Sequence, residues 1–249
     1  MTKNIFITGG TSGIGKSLIY KFAENKCNIF FTYNSNLNEA QSISKNLKKH
    51  NILHNYAKMD LSRPETINNA FKKFSKQFRR LNIFINNASI KMQRKEFLKL
   101  KNIEISKNIK GLLIGNIISL KKALELSLKK SSSNQSIIIN ISSYASISGG
   151  KNIHLYASSK SALNTLTTAL SKDSFKKKIK FFSIVPRYID TPSFRKNNNI
   201  KNNRDLILFK KRKKIKRIKK PKEFANFVYN KFIRNINTKY NPIIHYDSF

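Results

Sequence analysis

Three side chains fall at spacings that could move a proton. Tyr156 and Lys160 stand four apart in the run YASSK, which on a helix puts both on one face. Ser143 precedes the tyrosine by thirteen residues, at the end of the apolar run SIIINISS. A tyrosine ordinarily titrates near about 10, but an adjacent ammonium favours the phenolate and brings that value down. Such a phenol could exchange a proton with a substrate oxygen held by Ser143, while Lys160 also hydrogen-bonds the ribose of a nicotinamide. A tyrosine and a lysine at helical spacing are, by themselves, ordinary surface or core residues. The chemistry therefore depends on what else the chain places beside them.

A second constellation opens the chain. The strand-like run Asn4 to Thr8 (NIFIT) leads into Gly9, Gly10, Thr11, Ser12, Gly13, Ile14 and Gly15, and a helical pattern starts near Lys16. Glycines serve where backbone turns sharply against a pyrophosphate, and the free amides of a helix start supply donors and a positive dipole end. A flexible loop is the plain alternative for a glycine run, and the strand, turn and helix order argues against it. About 20 residues on, a dinucleotide site needs a group for the adenosine ribose. The run Phe31 to Asn36 (FTYNSN) has no acid there. An acid would bind the ribose 2′-hydroxyl of NAD and repel the phosphate of NADP, so Tyr33 and Asn34 in a basic protein favour NADP(H) over NAD(H). No dedicated arginine accompanies them.

These groups need a frame. Short β-branched and aromatic runs alternate with longer amphipathic ones, which predicts βαβ units in a parallel sheet. The spacing places strands near 4–8, 28–33, 54–58, 82–86, 136–142, 179–185 and 242–246, and helices near 13–25, 36–49, 64–79, 103–130, 155–175 and 221–235. The fold class is α/β, a Rossmann-type doubly wound sheet of seven parallel strands with helices on both faces. A length of 249 residues suits one such domain over 1–249. The stretch 186–220, rich in Asn and Lys, is expected to be an irregular flap over the site.

Composition narrows the setting. No apolar run approaches the roughly 18 residues that span a bilayer, and the amino terminus has no leader pattern, so a cytoplasmic protein with no membrane partner is expected. Cys27 is the single cysteine, which excludes an internal disulfide and a multi-cysteine metal site. His50, His54, His154 and His245 show no metal-ligand spacing, so no metal is expected; His154 lies close to Tyr156, where it could line a substrate mouth. Fifty Lys and Arg against twelve Asp and Glu give a formal charge of +38. The lysines are scattered through every segment, and Lys, Asn, Ile, Phe and Tyr share A/T-rich codons, so the charge is read as compositional. The run Lys210 to Lys220 (KKRKKIKRIKK) could grip nucleic acid or an acidic partner, although a solvated segment is the plainer reading. A catalytically idle scaffold that binds nucleic acid is thus the alternative to an enzyme.

Taken together, the motifs resemble those of the classical short-chain dehydrogenase/reductase family over nearly the whole chain. The resemblance rests on Thr8, Gly9, Gly13 and Gly15; on Asp60 followed by Leu61; on Asn86, Asn87 and Ala88; on Asn108 in SKNIKG; on Ser143, Tyr156 and Lys160; and on the segment Pro186 to Thr191. It implies hydride transfer between a nicotinamide cofactor and a carbonyl or alcohol. By that resemblance Asn108 helps hold a water that relays protons from Lys160, Asp60 contacts the adenine, and Ile189 and Thr191 contact the carboxamide or phosphates. Asn86 and Ala88 also belong to the implied cofactor site. Three departures stand out: Ser89 and Arg187 each replace a family glycine and threaten to crowd the cofactor, although the Arg187 guanidinium could instead contact a phosphate, and the carboxyl terminus lacks the usual glycines. The compact length resembles reductases of 3-oxoacyl groups on acyl carrier protein. That implies a small-molecule or carrier-bound substrate, fatty acid synthesis, and a homodimer or homotetramer built on two long helices; a sugar, polyol or steroid is the alternative substrate within the family. Leu112, Leu113, Ile117 and Leu120 on one and Leu163, Leu166 and Leu170 on the other form apolar stripes, which could equally be buried within one chain.

Overall fold

The apolar runs become seven strands: β1 (Asn4–Ile7), β2 (Asn28–Tyr33), β3 (His54–Lys58), β4 (Ile83–Asn86), β5 (Ser136–Ile141), β6 (Ile179–Pro186) and β7 (Ile243–Tyr246). The computed structural model describes residues 2–129, 135–173, 178–234 and 240–246. All seven strands pair in parallel, in the order β3-β2-β1-β4-β5-β6-β7. The chain winds outward from β1 in both directions, so the switch point lies between β1 and β4, where a crevice opens at the carboxyl ends of the strands. The doubly wound parallel sheet expected from the sequence is therefore the fold.

Helices cover both faces, which is why the strands are apolar almost throughout instead of alternating with polar residues. Side-chain alternation along β1 feeds two cores. Ile5 and Ile7 join Leu18, Ile19 and Phe22 of α1 (Gly13–Glu24), Ala40 and Ile43 of α2 (Leu37–Leu47), and Phe224 and Val228 of α10 (Pro221–Tyr229). Phe6 points the other way, among Ile67, Phe71 and Phe74 of α3 (Pro64–Gln77) and Leu120 and Ala123 of α5 (Gly115–Lys129). Its ring lies 4.6–5.4 Å from those of Phe30, Phe71, Phe74 and Phe84.

Three helix boundaries differ from the expected ones. The predicted helix 103–130 is two helices, α4 (Asn102–Ile109) and α5, joined by a π-helical turn over Lys110–Ile114. A Cβ on Gly115 would strike the carbonyl of Leu61 and one on Gly111 the side chain of Ile90; the glycines let this bent backbone sit against its neighbours. The predicted helix 155–175 is α7 (His154–Leu170), and residues 174–177 lie outside the described ones. The helix predicted to reach 235 ends as α10 and a π-helical turn over Asn230–Arg234, with 235 outside the described residues.

The stretch 186–220 corrects the expectation of irregular chain. It contains α8 (Pro192–Asn197) and α9 (Asn203–Arg212). Thr191 and Asn202 cap these helices through side-chain oxygens that accept from Phe194 N and Asp205 N, both at 3.0 Å; such caps stabilise a helix start by about 1 kcal/mol each. Aromatic packing of Tyr188, Phe194 and Phe209, with ring centroids 5.2–5.9 Å apart, closes the flap on itself. The apolar stripes also divide. Leu112, Leu120 and Leu163 are buried within the chain, whereas Ile117 stays 37% exposed.

Phe6 carries more of this packing than any surface residue can. Replacing it, Phe6→Ala, should lower unfolding free energy by about 3–5 kcal/mol, measured as a drop in the urea midpoint; a loss under about 1 kcal/mol would contradict the packing described.

Candidate active site

Four turns at the carboxyl edge of the sheet assemble the site. The first follows β1. Gly9 and Gly13 adopt positive φ of +68° and +53°, conformations that side chains resist. Gly9 and Gly10 donate to Thr32 Oγ1 and Thr32 O at 3.2 and 2.7 Å, which pins the turn to β2. From the other side Asn87 Nδ2 donates to the carbonyls of Thr8 and Gly9 at 2.9 and 3.1 Å, and Thr8 Oγ1 accepts from the amides of Asn87 and Ala88, both at 2.9 Å. A Cβ on Gly15 would run into the carbonyl of Gly9, so turn and helix meet with no room for a side chain. Ser12 caps α1 without any side-chain bond, and the first turn holds no acid. The amides of Gly13, Ile14 and Gly15 thus form an unneutralised positive helix end, which fits the pyrophosphate of a dinucleotide.

The adenosine side is as acid-poor as the sequence suggests. Tyr33 ends β2 half-buried beside the ring of Tyr56, with centroids 5.9 Å apart, and Asn34 is exposed just beyond. The first acid after β2, Glu39, is bound by Lys16 at 2.7 Å. Past β3, burial works to raise the carboxyl of Asp60, but bonds from Ser62 N and Oγ at 2.8 and 2.6 Å, with the charges of Arg63 and Lys58, hold it below its ordinary value. Both bonds fall on Oδ1, so among the described residues Oδ2 is left for a ligand. Leu61 beside it is buried in the core under α5.

Asn86 sits apart from this crevice. Its Nδ2 donates to Asn116 O at 3.2 Å and Asn140 Oδ1 at 2.9 Å, and Asn140 in turn donates to Thr167 Oγ1 at 2.9 Å. Its side chain therefore ties β4 to β5 inside the core. Asn87, which the sequence reading passed over as a ligand, braces the glycine turn instead. Ser89, feared to crowd a cofactor, is exposed and bonds the carbonyl of Ile90 at 3.2 Å.

The proton-handling groups meet between β5 and α7. Ser143 follows β5 in the turn before the short helix α6 (Ala145–Ser148), and its Oγ accepts from the amide of Ala145 at 3.2 Å. The Tyr156 hydroxyl lies near the Ser143 side chain, which favours its ionised form. Lys160, one turn on along α7, is only 3% exposed. Its Nζ donates to the carbonyl of Ile141 at 2.7 Å and lies 5.9 Å from the Tyr156 ring centroid. Ser143, Tyr156 and Lys160 therefore share one locus, as their spacing predicts.

The electrostatics correct one expectation. Burial pushes the Tyr156 phenol above its ordinary value, with Ser143 pulling the other way; the neighbouring ammonium does not bring it down. Desolvation acts on Lys160 as well and lowers it to about 8. Near neutral pH the pair is a neutral phenol beside a charged lysine, which suits donation of a proton to a substrate oxygen.

Asn108 stands in the last turn of α4, just before the π-helical turn, a distortion common at functional sites. Its Nδ2 donates to Gln93 Oε1 and Glu104 O at 2.8 and 2.7 Å. Behind it Glu104 accepts from Gln93 Nε2, Lys95 Nζ and the amide of Lys101 at 2.7–2.8 Å, and these partners, Lys95 first, hold its carboxyl at about 2. Asn108, Tyr156 and His154 line a cavity of about 10 Å³, close to what one water centre needs. The edge of the His154 ring meets Phe97, centroids 5.3 Å apart. Gln93 carried no sequence signal, because its bond to Asn108 crosses the loop before α4, whereas Glu104 lies one turn before Asn108 on that helix.

The segment after β6 closes the site. Ile189 is buried and paired with Lys219, and a Cβ on Gly13 would come within 3.1 Å of Thr191 Cγ2. Thr191 thus abuts the glycine turn, where the resemblance places it. Among the described residues no group of three His, Cys, Asp or Glu side chains is arranged to hold a metal, and no helix is long and apolar enough to cross a membrane.

Comparison with known proteins agrees with this geometry. The family profile described as short chain dehydrogenase matches residues 3–202. A 3-oxoacyl-[acyl-carrier-protein] reductase of Chlamydia trachomatis is 28% identical over 204 residues, 81% of this chain and 80% of that protein. An NADP-dependent 3-hydroxy acid dehydrogenase of Schizosaccharomyces pombe is 26% identical over 190 residues, 76% of this chain and 72% of that one. The crystal structure of a short chain dehydrogenase from Burkholderia cenocepacia in complex with NADP superposes with a TM-score of 0.83 at 21% identity, covering 98% and 96% of the two chains.

Lys160 should trade stability for function. The unfolded chain keeps its proton up to the ordinary value of 10.5, the folded chain only to about 8, so stability climbs with pH across that window. Lys160→Met should remove this climb and raise the thermal midpoint at pH 7 by a few degrees, while turnover is lost. Thermal unfolding from pH 7 to 10.5 checks it; a lowered midpoint with an unchanged pH slope would refute the buried-charge account.

Proposed function

Given that the chain belongs to the short chain dehydrogenases and is an NAD(P)H-dependent oxidoreductase, we propose that it reduces a 3-oxoacyl thioester carried on acyl carrier protein, with NADPH as hydride source. The observation that carries this reading is the convergence of Ser143 and the protonated phenol of half-buried Tyr156 beside the buried amine of Lys160. A bound nicotinamide would supply the hydride. Ser143 holds the carbonyl oxygen of the substrate, Tyr156 gives that oxygen a proton, and Lys160 keeps a positive charge under both. Asn108, held by Gln93 and the Glu104 carbonyl, positions the water that restores the proton.

The residues around the turn after β1 support the cofactor assignment. Gly9, Gly13, Ile14 and Gly15 form the phosphate cradle with Thr11, Ser12 and Thr191; Asp60 Oδ2 meets the adenine; Ala88 and Ile189 flank the bound molecule. NADP(H) is favoured because Tyr33 and Asn34 offer no competing carboxylate and Glu39 is committed to Lys16. The carrier protein is favoured by charge. The run from Lys210 to Lys220 is largely exposed along the flap that borders the site, and a basic rim speeds encounter with an acidic partner. Two relatives with this activity support the same substrate. Exposed Ile114 and Ile117, where the π-helical turn runs into α5, support association into a homodimer or homotetramer.

Purified protein should oxidise NADPH in the presence of an acetoacetyl thioester, and more efficiently than NADH. Tyr156→Phe should cut kcat by about 10²–10⁴-fold while cofactor binding, followed by nicotinamide fluorescence, persists; undiminished turnover would remove the phenol from the reaction. The rate of reduction should fall above about pH 8 as Lys160 loses its proton, and a profile flat to pH 10 would contradict that role.

A further inference from the structure

Arg187 replaces a family glycine one residue past β6, and its surroundings give it a purpose. It follows Pro186 at the carboxyl end of β6, where the carbonyl of Pro186 accepts from the amide of Tyr144 at 2.9 Å. That bond places Arg187 beside the residue that follows Ser143. Its guanidinium lies 5.3 Å from the ring centroid of Tyr144 and 5.8 Å from that of Tyr188. Two aromatic faces thus hold a planar cation in place, contacts that restrain the side chain without using its hydrogen-bond donors.

Among the described residues those donors have no hydrogen-bond partner. Nε is buried and unpaired, although a buried donor ordinarily finds an acceptor. The nearest acid in the chain, Asp190, is taken by Arg195 through two bonds of 2.6 and 2.8 Å. A fork of N–H donors fixed in this way matches a carboxylate.

The phosphates of a dinucleotide belong elsewhere, because the glycine turn that would cradle them abuts Thr191, whereas Arg187 stacks on Tyr144 beside Ser143. We propose that Arg187 is a specificity-determining residue that binds a free carboxylate, so that the site also accepts free 3-oxo and 3-hydroxy acids beside the carrier thioester. The inference rests on Ser143 and Tyr156 forming the carbonyl site, but not on the carrier thioester being the substrate. In reduction, hydride forms the new C–H bond at the carbonyl carbon and the nicotinamide is oxidised. The C=O π electrons pass to oxygen, which takes its proton from Tyr156. The carboxylate, held by Arg187, is unchanged.

The test compares acetoacetate with methyl acetoacetate, which differ by the charge, using NADPH and the wild-type, Arg187→Met and Arg187→Lys proteins. The acid-to-ester ratio of kcat/KM should favour the acid in the wild type, fall about 100-fold in Arg187→Met, and be partly rescued in Arg187→Lys. An equal change on both substrates, including a gain on both from relief of crowding, would overturn the proposal. If neither compound is turned over, the thermal midpoint with NADP present decides: stabilisation by the acid over the ester, lost in Arg187→Met, supports the proposal, and its absence in the wild type overturns it. Failure of the carbonyl site itself is distinguishable, since Tyr156→Phe would then leave NADPH oxidation unchanged whatever Arg187 does.

Discussion

A charged amine with almost no water around it is the constraint on which the site depends. Lys160 is anchored by one bond of 2.7 Å to the carbonyl that ends β5, and burial lowers its proton affinity to about 8. Holding such a group at all requires a rigid sheet edge on one side and a rigid helix on the other. β5 and α7 provide them: Asn140 of the strand bonds Thr167 of the helix at 2.9 Å, and Ser142 Oγ reaches back to the carbonyl of Lys160 at 3.4 Å. The functional group is thus an energetic burden borne by the packing around it.

The other half of the site is a matter of backbone, not charge. The turn after β1 is clasped from β2 by Thr32 and from β4 by Asn87, while Thr8 receives two amides of the β4 turn. Because all the strands run in parallel, their carboxyl ends lie along one edge, and the turns after β1, β4, β5 and β6 become neighbours there. That single topological fact brings Gly13, Ala88, Ser143 and Arg187, far apart in the chain, to one crevice. The two phenylalanine- and isoleucine-rich cores beneath it supply the stiffness.

Much of this was legible from one dimension. The runs of apolar residues mark the inner strands to within a residue or so, since strands buried on both faces are apolar almost throughout. The glycine turn and the Tyr156–Lys160 pair were legible for the same kind of reason: their chemistry is set by short-range geometry that spacing encodes. The flap was not legible. Helix α8 has few apolar residues and those of α9 fall in one unbroken run without helical period, and both are held by side-chain caps and three aromatic rings that meet only after the chain folds back.

By itself, then, the sequence determined the sheet, the phosphate turn and the identity of the proton-handling residues, because each depends on neighbours within a few positions. Tertiary structure alone decided three things. It turned the side chain of Asn86 into the core, it left the phenol of Tyr156 protonated where spacing predicted an acidic one, and it seated Arg187 between two tyrosines with its donors unpaired among the described residues. The reason is common to all three: burial and long-range partners set a group's hydration, and hydration, not residue type, decides whether it packs, ionises or waits for a ligand.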